Sequence, residues 1–189
     1  MTNIFFEIHS GLPREGPGDE ASTARALDLV RGMPAKPTIL DVGCGPGAQT
    51  LVLARLTGGM VTAVDNHAPF LDDLRGRAAR AGLAERIQTV NASMFDMPPG
   101  YPAIGSIDEN LAAIRDDGYD LAGHFILPDS SWWDMYYVPI LEKLPRLREK
   151  YRSDAEALGV LDEHDLEIDF FKRYSAYYGY VFFVMKRAD

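Results

Sequence analysis

Ile39-Leu40-Asp41-Val42-Gly43-Cys44-Gly45-Pro46-Gly47 carries an apolar run straight into a glycine-rich turn. Thr38 to Val42 is short, β-branched and apolar, which reads as a buried strand, and the stretch over about 48–57 reads as a helix. The glycines therefore fall where the carboxyl end of a strand meets a helix start, the place at which open α/β sheets bind ligands. Glycine permits positive φ and a close backbone approach that a side chain would block. The spacing is G-x-G-x-G. A dinucleotide fold uses G-x-G-x-x-G, with Ala48 tolerated in the last place, so the glycines alone do not discriminate. Asp41 at the strand end and Pro46 inside the turn do.

Outward from this turn the pattern repeats. Gly58-Gly59 stops the helix, Met60 to Asp65 is a second strand, and a helix over about 68–82 has Pro69 in its first turn and Gly82 at its end. Leu71, Leu74, Ala78 and Ala81 are its expected inward positions. Arg86 to Val90 is a third strand. Strand, helix, strand, helix, strand with short loops is the rhythm of parallel βαβ winding. On the amino-terminal side, Asp19 can cap a helix over about 20–31 with Thr23, Leu27 and Val30 on one face.

Beyond Phe95 the rhythm breaks. Residues 95–106 are turn chemistry without a strand, and Ser106 with Glu109 forms a capping box for a helix over about 107–117. Tyr119 to Leu127 is a strand. Trp132 to Tyr151 is mostly helical, with a kink expected at Pro145. A helix over about 162–175 presents Leu166, Phe170 and Tyr174. Tyr180 to Met185 is a terminal strand.

Composition sets outer bounds. The 189 residues are 47% apolar and 25% charged, which suits one globular domain and argues against disorder. The net charge of −9 is uneven, about −2 over residues 1–100 and −7 over 101–189. With no basic stripe, nucleic acid is not an expected partner. No run approaches the ~20 apolar residues of a membrane span, and Met1 to Glu7 lacks the basic start of a secretory signal, so a cytoplasmic, non-membrane protein is expected. Cys44 is the single cysteine and the four histidines lack ligand spacing, so no metal site is expected.

The acid-before-glycine turn resembles the first motif of class I S-adenosylmethionine-dependent methyltransferases. Asp65, about twenty residues on, closes the second strand where that family places a carboxylate that accepts the ribose hydroxyls, and Asn91 to Asp96 falls where the family lines the adenine. Phe5-Phe6-Glu7-Ile8-His9, Arg14-Glu15-Gly16-Pro17-Gly18, Gly123-His124-Phe125, Trp132-Trp133-Asp134 and Tyr177-Tyr178-Gly179 resemble a bacterial small-molecule subfamily, so nearly the whole chain is covered. The resemblance implies a Rossmann-like α/β three-layer sandwich, mostly parallel with an antiparallel C-terminal strand. It implies S-adenosyl-L-methionine as cofactor and a small-molecule acceptor. The cofactor-binding residues it implies are Asp41, Gly43, Cys44, Gly45, Gly47, Asp65, Asn66, Ser93 and Met94. Backbone amides of the turn and of the helix start would take the amino-acid end of the cofactor, with Cys44 contributing its amide rather than its thiol.

One departure stands out. Family members carry a fourth strand, a helix and a fifth strand before the helix that starts near Ser106. Here Met97-Pro98-Pro99-Gly100 runs directly into Tyr101-Pro102, so two central βα units, on the order of 50–60 residues, are missing. No catalytic residue can be carried over from that region. The first strand loses its neighbour, leaving an apolar edge that the terminal strand or a partner in a homodimer could cover. The chain reads as one domain with three parts: a leader and helix (1–37), a cofactor half (38–96) and a C-terminal part (107–189). Two other functions stay open at this point: a cofactor-binding or assembly module without catalysis, and a nicotinamide-binding oxidoreductase.

Other residues have plainer readings. His9 and His124 are candidate substrate contacts, His124 reading more readily as a core or edge histidine, and the Trp132-Trp133 and Tyr177-Tyr178 pairs are more often core than pocket wall. Asp162-Glu163-His164-Asp165 reads as a charged helix start.

Overall fold

A computed structural model describes residues 4–92, 106–177 and 179–188. The chain separates into two compact units, one of residues 1–18 with 128–180 and one of 19–127 with 181–189. The leader is thus divided at Gly18.

The second unit holds the sheets. β1 (Thr38–Val42), β2 (Met60–Asp65) and β3 (Ile87–Asn91) pair in parallel in the order β1-β2-β3, with Asp41 beside Ala63 and Asp65 beside Asn91. They alternate with α3 (Ala48–Thr57) and α4 (Ala68–Arg80), as the periodicity predicts. Leu71, Leu74 and Ala78 of α4 are buried, and Leu71 and Leu74 form a cluster with Cys44 and Ala63. Ala81 lies outside the core, and the buried Leu83 joins Ala54 and Val61 instead. α2 (Glu20–Leu29) is capped by Asp19, whose side chain accepts the Ser22 N–H at 2.6 Å.

After α5 (Ile107–Asp116), opened by the expected Ser106–Glu109 capping box, come β4 (Tyr119–Ile126) and β5 (Val181–Arg187). These two pair antiparallel as a separate two-stranded sheet. The fold is Rossmann-like, but the single continuous sheet expected from sequence is two sheets. Among the described residues no strand lies between Asn91 and Tyr119, and nothing pairs with the outer edge of β1. The terminal strand has not moved in beside β1. Leu40 on β1 is 59% exposed and Val42 38%, so the apolar edge foreseen for a missing neighbour is present.

The other unit is helical: α1 (Ile4–His9), α6 (Asp129–Trp132), a π-helical turn (Trp133–Tyr137), α7 (Val138–Lys150) and α8 (Ala155–Tyr174). The irregularity expected at Pro145 sits instead at the π turn, and α7 runs on through Pro145. α8 begins earlier than predicted because Asp154 caps it, accepting the Ala157 N–H at 3.0 Å. Asp162 and Asp165 are therefore inside the helix, where both bind Arg148 at 2.6 Å. The expected inward line of Leu166, Phe170 and Tyr174 is exposed. The buried face carries Leu161, His164, Ile168 and Phe171. Two apolar stripes compete on this helix, and the winner is the one that stacks Phe171 on Trp132 at 4.4 Å.

Candidate cofactor site

The turn after β1 is built almost wholly from backbone. Gly43, Gly45 and Gly47 all have positive φ, at 70°, 53° and 84°. Gly47 is doubly constrained, since a Cβ there would lie 2.1 Å from Leu74 Cδ1. The amides of Gly43 and Cys44 both donate to the Val64 carbonyl, at 2.8 and 3.0 Å, which ties the turn to the end of β2. Gly47 N–H donates to Cys44 O at 3.0 Å.

Asp65 joins three pieces. Its Oδ2 accepts the Gly45 amide and its Oδ1 the His67 amide, both at 2.9 Å, while its carbonyl accepts Ala92 N–H at 3.1 Å. The carboxylate thus ties the turn to the start of α4, and the backbone carbonyl of the same residue holds the exit from β3. A carboxylate has about four lone-pair positions, so each Asp65 oxygen keeps acceptor capacity after one amide bond. Asp41 accepts the Thr50 hydroxyl on Oδ2 at 2.6 Å.

These contacts change how the turn can serve a ligand. The amides of Gly43, Cys44, Gly45 and Gly47 already have acceptors within the protein. Donors without a backbone acceptor among the described residues are those of Ala48, Gln49 and Thr50, the first turn of α3. Cys44 is packed as expected, and burial pushes its thiol up to about 12, with the Asp41 and Asp65 charges adding to the effect. It stays protonated.

The structure brings Asp41, Gly43, Cys44, Gly45, Gly47 and Asp65 to one end of the parallel sheet. Asn66 follows as an exposed residue before α4, and Ser93 and Met94 lie outside the described residues. Sequence reasoning missed Thr50, although a hydroxyl in the first turn of the helix after Asp41 was the available signal. Beside Asp41 an open cleft of about 340 Å³ is lined by Thr23, Leu27, Gln49, Leu53 and the β5 residues Phe182 to Met185. His124 is an exposed strand residue with its ring 6.0 Å from Phe183. His9 lies in the helical unit, only 1% exposed.

Comparison with known proteins agrees with this geometry. Residues 39–115 match a family model described as a methyltransferase domain. A crystal structure of an S-adenosylmethionine-dependent methyltransferase from Thiobacillus denitrificans, in complex with S-adenosyl-L-homocysteine, aligns with a TM-score of 0.80 at 16% identity over 99% of both chains. One from Geobacter sulfurreducens, also with S-adenosyl-L-homocysteine, gives 0.76 at 17% identity over 99% of this chain and 98% of that one. In sequence, the ribosomal protein L11 methyltransferase of Gloeobacter violaceus is 28% identical over 152 residues, 79% of this chain and 46% of the relative. The chain spans less than half the length of the curated relatives it matches. The chain thus has the fold of the S-adenosylmethionine-dependent methyltransferases, and residues 39–115 match a methyltransferase domain. Among the described residues no helix is long and apolar enough to cross a membrane.

Proposed function

We propose that the chain is an S-adenosyl-L-methionine-dependent methyltransferase for a small-molecule acceptor, with its cofactor site at the carboxyl ends of β1 and β2. The observation that carries this is Asp65, whose carboxylate is pinned by two amides and still has an acceptor position on each oxygen for the two ribose hydroxyls. Gly43, Cys44, Gly45 and Gly47 shape the floor, and the closeness of Gly47 to Leu74 keeps it free of side chains. The open amides of Ala48, Gln49 and Thr50 suit a carboxylate at a helix start. Asp41 suits the neighbouring ammonium of the same amino-acid group. Asn66, Ser93 and Met94 complete the nucleoside end in this reading.

When bound, S-adenosylmethionine supplies a methyl group already activated on a sulfonium. The protein's share is placement: it must orient the reacting groups and keep water away. The cleft beside Asp41 supports a small-molecule acceptor, because its size and apolar lining fall within the range of ligand pockets.

Calorimetric titration tests the reading. S-adenosylhomocysteine is expected to bind and to protect residues 41–47 from hydrogen exchange, while NAD in a parallel titration gives no heat. NAD binding alone would promote an oxidoreductase, and binding of neither would end the cofactor reading. Among the described residues no strand pairs with the outer edge of β1, which favours a second reading, a cofactor-binding or assembly module whose edge is covered in a homodimer. Ligand binding without methyl transfer to a panel of acceptors, with a dimer in sedimentation equilibrium, would favour it.

A further inference from the structure

We propose that Thr50 is a positioning residue of the cofactor site, holding the Asp41 carboxylate at the start of α3 and through it governing the amino-acid end of the ligand. This rests on the cofactor reading given above. The observation behind it is the choice of partner. A helical threonine commonly turns its hydroxyl back onto the carbonyl four residues earlier. Thr57 does so, donating to Leu53 O at 2.7 Å, and Thr23 does so to Asp19 O at 3.1 Å. Thr50 instead reaches out of its helix to a carboxylate on β1, at 2.6 Å, and is 0% exposed.

That distance falls in the short range of charge-assisted O–H···O⁻ bonds. The bond fixes the Asp41 side chain before any ligand arrives, so less rotamer freedom remains to be lost on binding. It also compensates for a missing cap. Gly47, the N-cap of α3, has no side chain to offer, whereas Asp41 brings a negative charge to the positive end of the helix. A zwitterionic amino-acid group fits this arrangement. Its carboxylate meets the open amides of Ala48 to Thr50, and its ammonium meets Asp41.

The role predicts an effect confined to one end of the ligand. S-adenosylhomocysteine carries the amino-acid group, whereas 5′-methylthioadenosine keeps the nucleoside and lacks that group. Thr50→Val preserves shape and removes the hydroxyl. It is expected to weaken S-adenosylhomocysteine binding about tenfold, in line with loss of a hydrogen bond to a charged group. Methylthioadenosine affinity should stay within about twofold, and Thr50→Ser should restore S-adenosylhomocysteine binding to within about threefold. In an Asp41→Asn background, Thr50→Val should add less than about twofold, since the two act as one unit. If Thr50→Val does not fold, Thr50→Ala carries the same ligand comparison. Equal losses for both ligands, or no loss for either, would overturn the positioning role while leaving the cofactor reading intact. Failure of the unaltered protein to bind either ligand would remove both.

Discussion

At the glycine turn of the sheet unit, Asp65 takes one amide on each oxygen and keeps room for more, and the α3 amides stay open. In the helical unit, His9 is 1% exposed. Its Nδ1 donates to Phe5 O at 2.8 Å, its Nε2 faces the Tyr136 hydroxyl at 3.4 Å, and its ring lies 5.5 Å from that of His164. Nearby, Lys143 donates to the carbonyls of Glu7, Ile8 and Ser10, closing the end of α1. Both regions hold hydrogen-bonded polar groups, but one leaves hydrogen-bonding capacity open and the other consumes it. The half-buried Asp65 carboxylate at a strand end keeps acceptor positions that solvent or a ligand can fill. A fully satisfied histidine in a core specifies packing.

Four measurements would sharpen or break this contrast. The largest effect is expected at Gly47→Ala, where a positive φ and overlap with Leu74 combine. Urea unfolding should show a loss of about 3 kcal/mol or more. A loss below about 1 kcal/mol would mean the turn is less constrained than its geometry indicates. Asp65→Ala should weaken S-adenosylhomocysteine binding by about 2 kcal/mol, roughly thirtyfold. Unchanged affinity in calorimetry would remove Asp65 from the site.

The third concerns acid. Burial holds His9 below the ordinary histidine range, opposed by its bond to Phe5 and reinforced by His164 and Lys143. The fold keeps the neutral imidazole, so the unfolded chain takes up the proton first as pH falls. The stability His9 contributes is complete above about pH 6.5 and declines below it, by at most about 1.4 kcal/mol per pH unit. Urea midpoints from pH 8 to 5 should fall less steeply in His9→Gln. Parallel curves would show that another group sets the acid limb. The smallest effect is expected at Leu40→Lys on the open edge, within about 0.5 kcal/mol in urea unfolding of a monomer. A larger loss, or a change in sedimentation, would show that a partner covers β1.

Much of the sheet unit was legible because its signals are local. The alternation of strands and helices from Thr38 to Asn91, the Asp19 cap and the Ser106–Glu109 capping box depend on residues a few positions apart, and each appears where predicted. On α8 periodicity does not choose the buried face, because Leu166-Phe170-Tyr174 and Ile168-Phe171 are equally periodic. Nor does local sequence mark its start, because the acids that bind Arg148 resemble a helix opening.

Asp41, the three glycines and Asp65 could be named from spacing because a strand end and a turn bring them together over about twenty-five residues of chain. Which amides remain open after folding could not. That outcome depends on Val64 O and the Asp65 carboxylate capturing the turn's N–H groups, and on Thr50 choosing Asp41 over its own helix. Nor could local sequence say whether β5 would join β1 or β4, since strand pairing is settled by competition among distant edges. Local periodicity determines elements; the distribution of hydrogen bonds among distant partners is decided only when those elements meet.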